Sequence, residues 1–180
     1  MDTPFSDQEF TQMKDIQHRL SQVRSHLSEN EFPSITEISA WYSFLAKIKF
    51  IQGNFNNDIS FLATLMAKKY LEERYGLQNF DAAEKPQGAA GIDIDVRLPD
   101  GRRLIAEIKT TSPYKPNDVG AQQKAMFEND FTKLADADAE IKLFLLTEQV
   151  TFDLMKKPKY KSQLSGVSVV LLTTGEEFTA

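Results

Sequence analysis

The stretch "GIDIDVRLPDGRRLIAEIKTT", residues 91–111, decides how the second half of the chain is built. Its apolar residues alternate on either side of a Pro-Asp-Gly turn, the pattern of two strands joined as a hairpin. Within those strands sit Asp93, Asp95, Glu107 and Lys109. Charges are costly in a core unless something pairs them. The stretch therefore asks for a buried hairpin and for a partner to its acids.

The turn chemistry predicts the register. A two-residue Asp100-Gly101 turn would place Pro99 in the ladder, where it cannot donate, and would face the aspartates away from Glu107. A three-residue loop, Pro99-Asp100-Gly101, suits the residues better. Proline presets φ at the first position and glycine takes the left-handed third position beside a G1 bulge. Leu98 then pairs with Arg102, and counting back sets Asp93 opposite Glu107, 14 positions away in sequence. Asp95, Glu107 and Lys109 share that face.

Two carboxylates meeting across a hairpin repel unless one is protonated or a cation lies between them. Converging hard oxygens suit Mg²⁺ or Mn²⁺. Lys109 points the same way and can stabilise developing negative charge or orient a water. Such a set has the parts for metal-assisted hydrolysis of a phosphodiester. The competing reading is a solvated hairpin in which Asp93 or Asp95 pairs with Lys109. It leaves Ile105 exposed on the same face, and it uses two acids where one would serve.

The composition sets outer bounds. At 180 residues, 41% hydrophobic and 26% charged, the chain suits one globular domain with or without an appendage. No apolar run approaches the roughly 20 residues of a membrane helix, and "MDTPFSDQEF" lacks the apolar segment of a secretory signal. No membrane partner is expected. The absence of cysteine excludes disulfides, thiolate metal sites and a cysteine nucleophile, and fits a cytoplasmic protein. A net charge of −5 argues against indiscriminate nucleic-acid binding but leaves room for a locally basic cleft.

Residues 1–56 read as an N-terminal helical region for dimerisation or DNA recognition, and residues 57–180 as the core. Ser6 and Glu9 form a capping box flanked by Phe5 and Phe10 as a hydrophobic staple. Met13, Ile16, Leu20, Val23 and Leu27 then recur at spacings of 3, 4, 3 and 4. That stripe packs on its own domain or forms a dimer contact. Ser34 and Glu37 predict a second capping box, with Gly53 as the stop. A third helix follows, capped by Asn57 or Asp58 and ended by Gly76. His18 and His26 read as surface residues, and Trp41 and Tyr42 as core or interface. Beyond the hairpin come a helix with Phe127, Phe131 and Leu134 on one face, a strand at "IKLFLLTE", a short helix at "FDLMKK" and a final strand at "VSVVLLTT". Strands alternating with helices predict an α/β or mixed α+β fold.

The pattern of an Asp in "GID" followed by "AEIK" resembles the PD-(D/E)xK nuclease superfamily, the fold of most type II restriction endonucleases and of archaeal Holliday-junction resolvases. The resemblance rests on residues 91–109, and the flanking order of helix, hairpin, helix and strand agrees with it. The proline in the superfamily's name is absent here. The resemblance implies a restriction endonuclease-like core, a central mixed sheet flanked by helices. It implies that Asp93, or Asp95 in its place, and Glu107 bind Mg²⁺, with Mn²⁺ able to substitute, and that Lys109 assists the attacking water. From the following helix, Gln123 or Lys124 is implied near the water or phosphate. Tyr114 and Lys115, in the loop leaving the second strand, are candidate contacts to the DNA backbone.

The four lysines of "KKPKYK", residues 156–161, are either a phosphate-contacting patch or a solvated run. Glu72 and Glu73 read as solubilising rather than as extra ligands. The function this predicts is a Mg²⁺-dependent DNA endonuclease. A restriction enzyme acting on double-stranded DNA as a homodimer is favoured, because a two-fold dimer matches a palindromic target. A repair nuclease or junction resolvase, and a non-catalytic DNA-binding module on the same fold, are the alternatives.

Overall fold

The computed structural model describes residues 5–86, 89–113 and 118–180. The chain divides into two compact units, Met1–Asp58 and Ile59–Ala180.

The first unit is helical. Helix α1, Asp7–Glu29, starts with the expected reciprocal cap: Glu9 N–H donates to Ser6 Oγ at 3.1 Å, and Ser6 N–H to the Glu9 carboxylate at 2.8 Å. The flanking Phe5 and Phe10 stay about half exposed, so they contribute little as a staple. Of the apolar stripe only Ile16 is buried, while Leu20 and Leu27 are exposed. Helix α2, Ile38–Gln52, lacks the expected Ser34–Glu37 box. Ser34 is used by a preceding turn instead: its carbonyl accepts from Glu37 N–H and from the Trp41 indole, and its hydroxyl meets Thr36.

Helix α3, Phe55–Tyr75, begins earlier than expected. Asn54 caps it, its side-chain oxygen accepting from Asn57 N–H, so Asn57 and Asp58 fall inside the first turn. Asp58 is taken by Arg19, whose guanidinium makes two 2.8 Å bonds to it and also reaches the Gln52 carbonyl. His18 is exposed as expected. His26 is half-buried and stacks on Phe44 with ring centroids 4.8 Å apart. Trp41 stacks on Phe32, whereas Tyr42 is exposed rather than in a core.

The second unit is a mixed α+β layer structure. Its five strands, β1 (Ile94–Arg97), β2 (Arg103–Lys109), β3 (Ile141–Leu146), β4 (Ser168–Leu171) and β5 (Glu176–Thr179), lie side by side in chain order. The outer pairs are antiparallel, and β2–β3 and β3–β4 are parallel. Parallel neighbours need crossovers. Helix α4 (Ala121–Asp136) supplies the first, and α5 (Gln149–Met155) with α6 (Pro158–Lys161) the second. The last strand, β5, was not foreseen, because "EEFT" has no apolar alternation strong enough to mark it.

Side chains alternate across the sheet and divide the core in two. Leu104, Ala106, Leu143 and Leu145 pack with Ala67 and Leu71 of α3. Ile105, Phe144, Leu146 and Val169 pack under Phe127, Phe131 and Leu134 of α4 and Phe152 of α5. Among the described residues no helix is long and apolar enough to cross a membrane.

The hairpin has the register its turn predicts. Ile94 pairs with Ala106 and Arg97 with Arg103, Leu98 N–H donates to Arg102, and Gly101 N–H donates to Leu98. Continued one pair past the end of the ladder, this register sets Asp93 across from Glu107. Gly101 has φ +89° and open space around its α-carbon, so only backbone strain penalises a side chain there. Gly101→Ala is expected to cost about 1–2 kcal/mol in urea denaturation with an unchanged far-UV spectrum.

Candidate functional site

Glu107 lies in the middle of β2, between Asp93 on one side and Phe144 of β3 on the other. Its alternation places it with Ile105 and Lys109 on the face covered by α4. The carboxyl is 1% exposed. Asp93 is fixed just ahead of β1 by a 2.8 Å bond that its Oδ2 accepts from Ile108 N–H, and its carboxyl faces Glu107. Burial first, and then repulsion from Asp93, push the Glu107 carboxyl up to about 8.

Two residues of α4 complete the cluster. Asp130, itself 3% exposed, holds Lys109 with its Oδ2 2.6 Å from the ammonium. Its Oδ1 accepts from Lys133 at 3.0 Å. Lys133 also donates to Glu107 Oε1 at 3.1 Å and to the Gly91 carbonyl at 3.3 Å. Burial works against the Lys133 charge, yet Asp130 and Glu107 keep its pKa above the ordinary lysine value. The side chains thus alternate in sign: Lys109, Asp130, Lys133, Glu107, with Asp93 beyond.

The sequence reading missed Asp130 and Lys133. A signal was present. Asp130 falls three residues after Phe127 and four before Leu134, inside the apolar stripe of α4, where an acid is costly unless it is paired.

The remaining expected residues lie elsewhere or do other work. Asp95 does not join the carboxyl pair. It sits opposite Ile105, two pairs nearer the turn, where Arg103 grips both its oxygens at 2.9 and 2.7 Å and holds its pKa down. Gln123 clasps the start of α4: its amide donates to the Ser112 carbonyl at 3.0 Å, and its oxygen accepts from Gly120 N–H at 3.2 Å. Lys124 pairs with Glu128 one turn along α4, 3.5 Å away. Tyr114 and Lys115 lie outside the described residues. The 156–161 lysines are no free patch. Lys156 meets Glu176 and Asp153, Lys159 meets Asp118, and Tyr160 is buried with its hydroxyl on the same Asp118.

A cleft of about 500 Å³ opens beside the cluster, lined among others by Ser60, Thr64, Lys85, Asp93 and Lys109. It brings the β1 edge and the end of β2 within reach of a ligand. For a metal, the available donors are the Asp93 and Glu107 carboxylates. Among the described residues no group of three or more acidic or histidine ligands converges. Two carboxylates fit Mg²⁺, which keeps waters and substrate oxygens in its remaining positions. The raised affinity of Glu107 for a proton is the same electrostatic demand that a cation satisfies.

Comparison with known protein families, with curated proteins and with solved structures found no match to this chain.

Because folding raises the Glu107 pKa, its contribution to stability is complete below about pH 4 and is lost as pH rises through about 8. Without divalent cations, Glu107→Gln should gain on the native chain between about pH 5 and about pH 9, by several degrees in Tm at about 2–4 °C per kcal/mol. Parallel melting curves of the two proteins check it; a constant difference across that range would contradict the assignment.

Proposed function

We propose that the chain is a Mg²⁺-dependent DNA endonuclease with a restriction endonuclease-like, PD-(D/E)xK core. One observation carries the reading. Asp93 and Glu107 face each other across one hairpin, Lys109 follows Glu107 on the same face, and Asp93 and Lys109 line an open cleft with Glu107 buried between them. A structural ion-pair network accounts for buried charges, but it does not call for two facing carboxylates of which one, Asp93, lines a cleft.

Asp93 and Glu107 would hold Mg²⁺, with Mn²⁺ able to substitute, and the ion would supply charge neutralisation at the scissile phosphate. The chain's own residues do the remaining work. The buried setting of Glu107 keeps the local dielectric low and strengthens every charge that acts there. Lys109, held by Asp130, can donate from its ammonium to a phosphate oxygen or orient the attacking water. The hairpin keeps these groups on rigid strands, so little reorganisation is needed during reaction.

Double-stranded DNA is the substrate this reading favours. Cutting both strands requires two such sites, which a homodimer provides with the symmetry of a palindromic target.

Incubation of a sequenced plasmid with the chain and Mg²⁺ is expected to give discrete fragments. Asp93→Asn, Glu107→Gln and Lys109→Ala should each lower the rate about a hundredfold or more. Ca²⁺ should support DNA binding with little cleavage. Intact plasmid under all metal conditions, or undiminished cutting by Lys109→Ala, would overturn the reading.

A further inference from the structure

We infer that Lys133 is the chain's own counter-ion for the Asp93–Glu107 pair, a positioning residue that gives up Glu107 to an incoming divalent cation and stays on Asp130. The inference rests on the proposed metal site and deepens it.

The geometry separates the two lysines by role. Lys109 has an acid partner in Asp130, at 2.6 Å, and its side chain is 15% exposed. Lys133 divides itself between Glu107 at 3.1 Å and Asp130 at 3.0 Å, from a side chain that is 30% exposed at the rim. Its acceptors are almost wholly buried, at 1% and 4%, so Lys133 is the member with room to shift. Asp130 presents one oxygen to each lysine. Lys133 therefore keeps a carboxylate contact after leaving Glu107, three residues away on the same helix turn. Without that second anchor, displacement would strand an ammonium at a partly buried position with no carboxylate beside it.

Charge balance agrees. Asp93, Glu107 and Asp130 bring three negative charges when ionised, against two positive charges from Lys109 and Lys133. The cluster then carries one net negative charge. A divalent cation turns this to one net positive charge, the match for a single phosphodiester. Lys133 keeps the site near neutrality before the cation arrives, and with the cation the site becomes attractive to the DNA backbone.

The test is calorimetric titration of Mn²⁺ into the full chain in native form and as Lys133→Gln, Asp130→Asn and the double variant, with folding followed by circular dichroism. Lys133→Met is the replacement if Lys133→Gln does not fold. Lys133→Gln should bind Mn²⁺ about tenfold more tightly, the scale of an ordinary coupling between binding events. Asp130→Asn should weaken binding in the native background and have little effect once Lys133 is gone, because no ammonium then needs a landing point. Equal Mn²⁺ affinity in Lys133→Gln and the native chain, or strictly additive effects of the two substitutions, would overturn the inference and leave the nuclease reading intact. Absence of Mn²⁺ binding by every form would overturn both.

Discussion

A carboxyl group removed from water at the centre of a sheet has to be matched, and in this chain the matching of Glu107 organises everything around it. Its neighbour on β3 is Phe144, whose ring meets those of Phe127 and Phe131 at 5.9 and 5.2 Å. Nothing in that wall can solvate an anion. The compensation comes from Lys133 in the adjacent helix, and Lys133 in turn requires Asp130. Removing one partner of such a network leaves the others buried without a counter-charge, typically a larger loss than the pair contributes when intact. The cluster is therefore a poor source of stability.

Packing fixes the cluster's dimensions. Helix α4 lies on β2 and β3 through Phe127, Phe131 and Leu134, and its polar residues Asp130 and Lys133 are carried to Lys109 and Glu107 by the same contact. Gln123 secures the start of the helix to Ser112, in the segment that leaves β2. The strand with Glu107 and Lys109 and the helix with their counter-ions are thus tied at both ends of one connection. A shift of α4 along the sheet would change the apolar fit and the charge pairing together.

How much of this could be read beforehand depends on how local the governing interaction is. The hairpin was legible because Pro99, Asp100 and Gly101 dictate a loop length, and loop length dictates register. The order of helices and strands followed from periodicity. The partners of the acids were not legible. Asp130 and Lys133 lie more than 20 residues from Glu107, and the sequence reading of α4 rests on its apolar spacing and on Gln123 and Lys124 in its first turn. Alternation puts Asp93 and Asp95 on one face; the reach of Arg103 to Asp95 is a diagonal contact that alternation does not encode. The Ser34–Glu37 motif had the right letters, but a backbone turn ending in the Trp41 indole claimed Ser34 first. Strand β5 escaped because an edge strand with two glutamates carries little periodic signal.

The charges on the outermost strands have a consequence for self-association. Strand β1 carries Asp95 and Arg97, and β5 carries Glu176 and Glu177, largely in water. Unpaired strand edges recruit further strands, and exposed charges are the usual deterrent. Sheet-to-sheet joining of two copies through β5 would set glutamates of both chains side by side. Continuous fibril-like stacking through that margin is thereby discouraged.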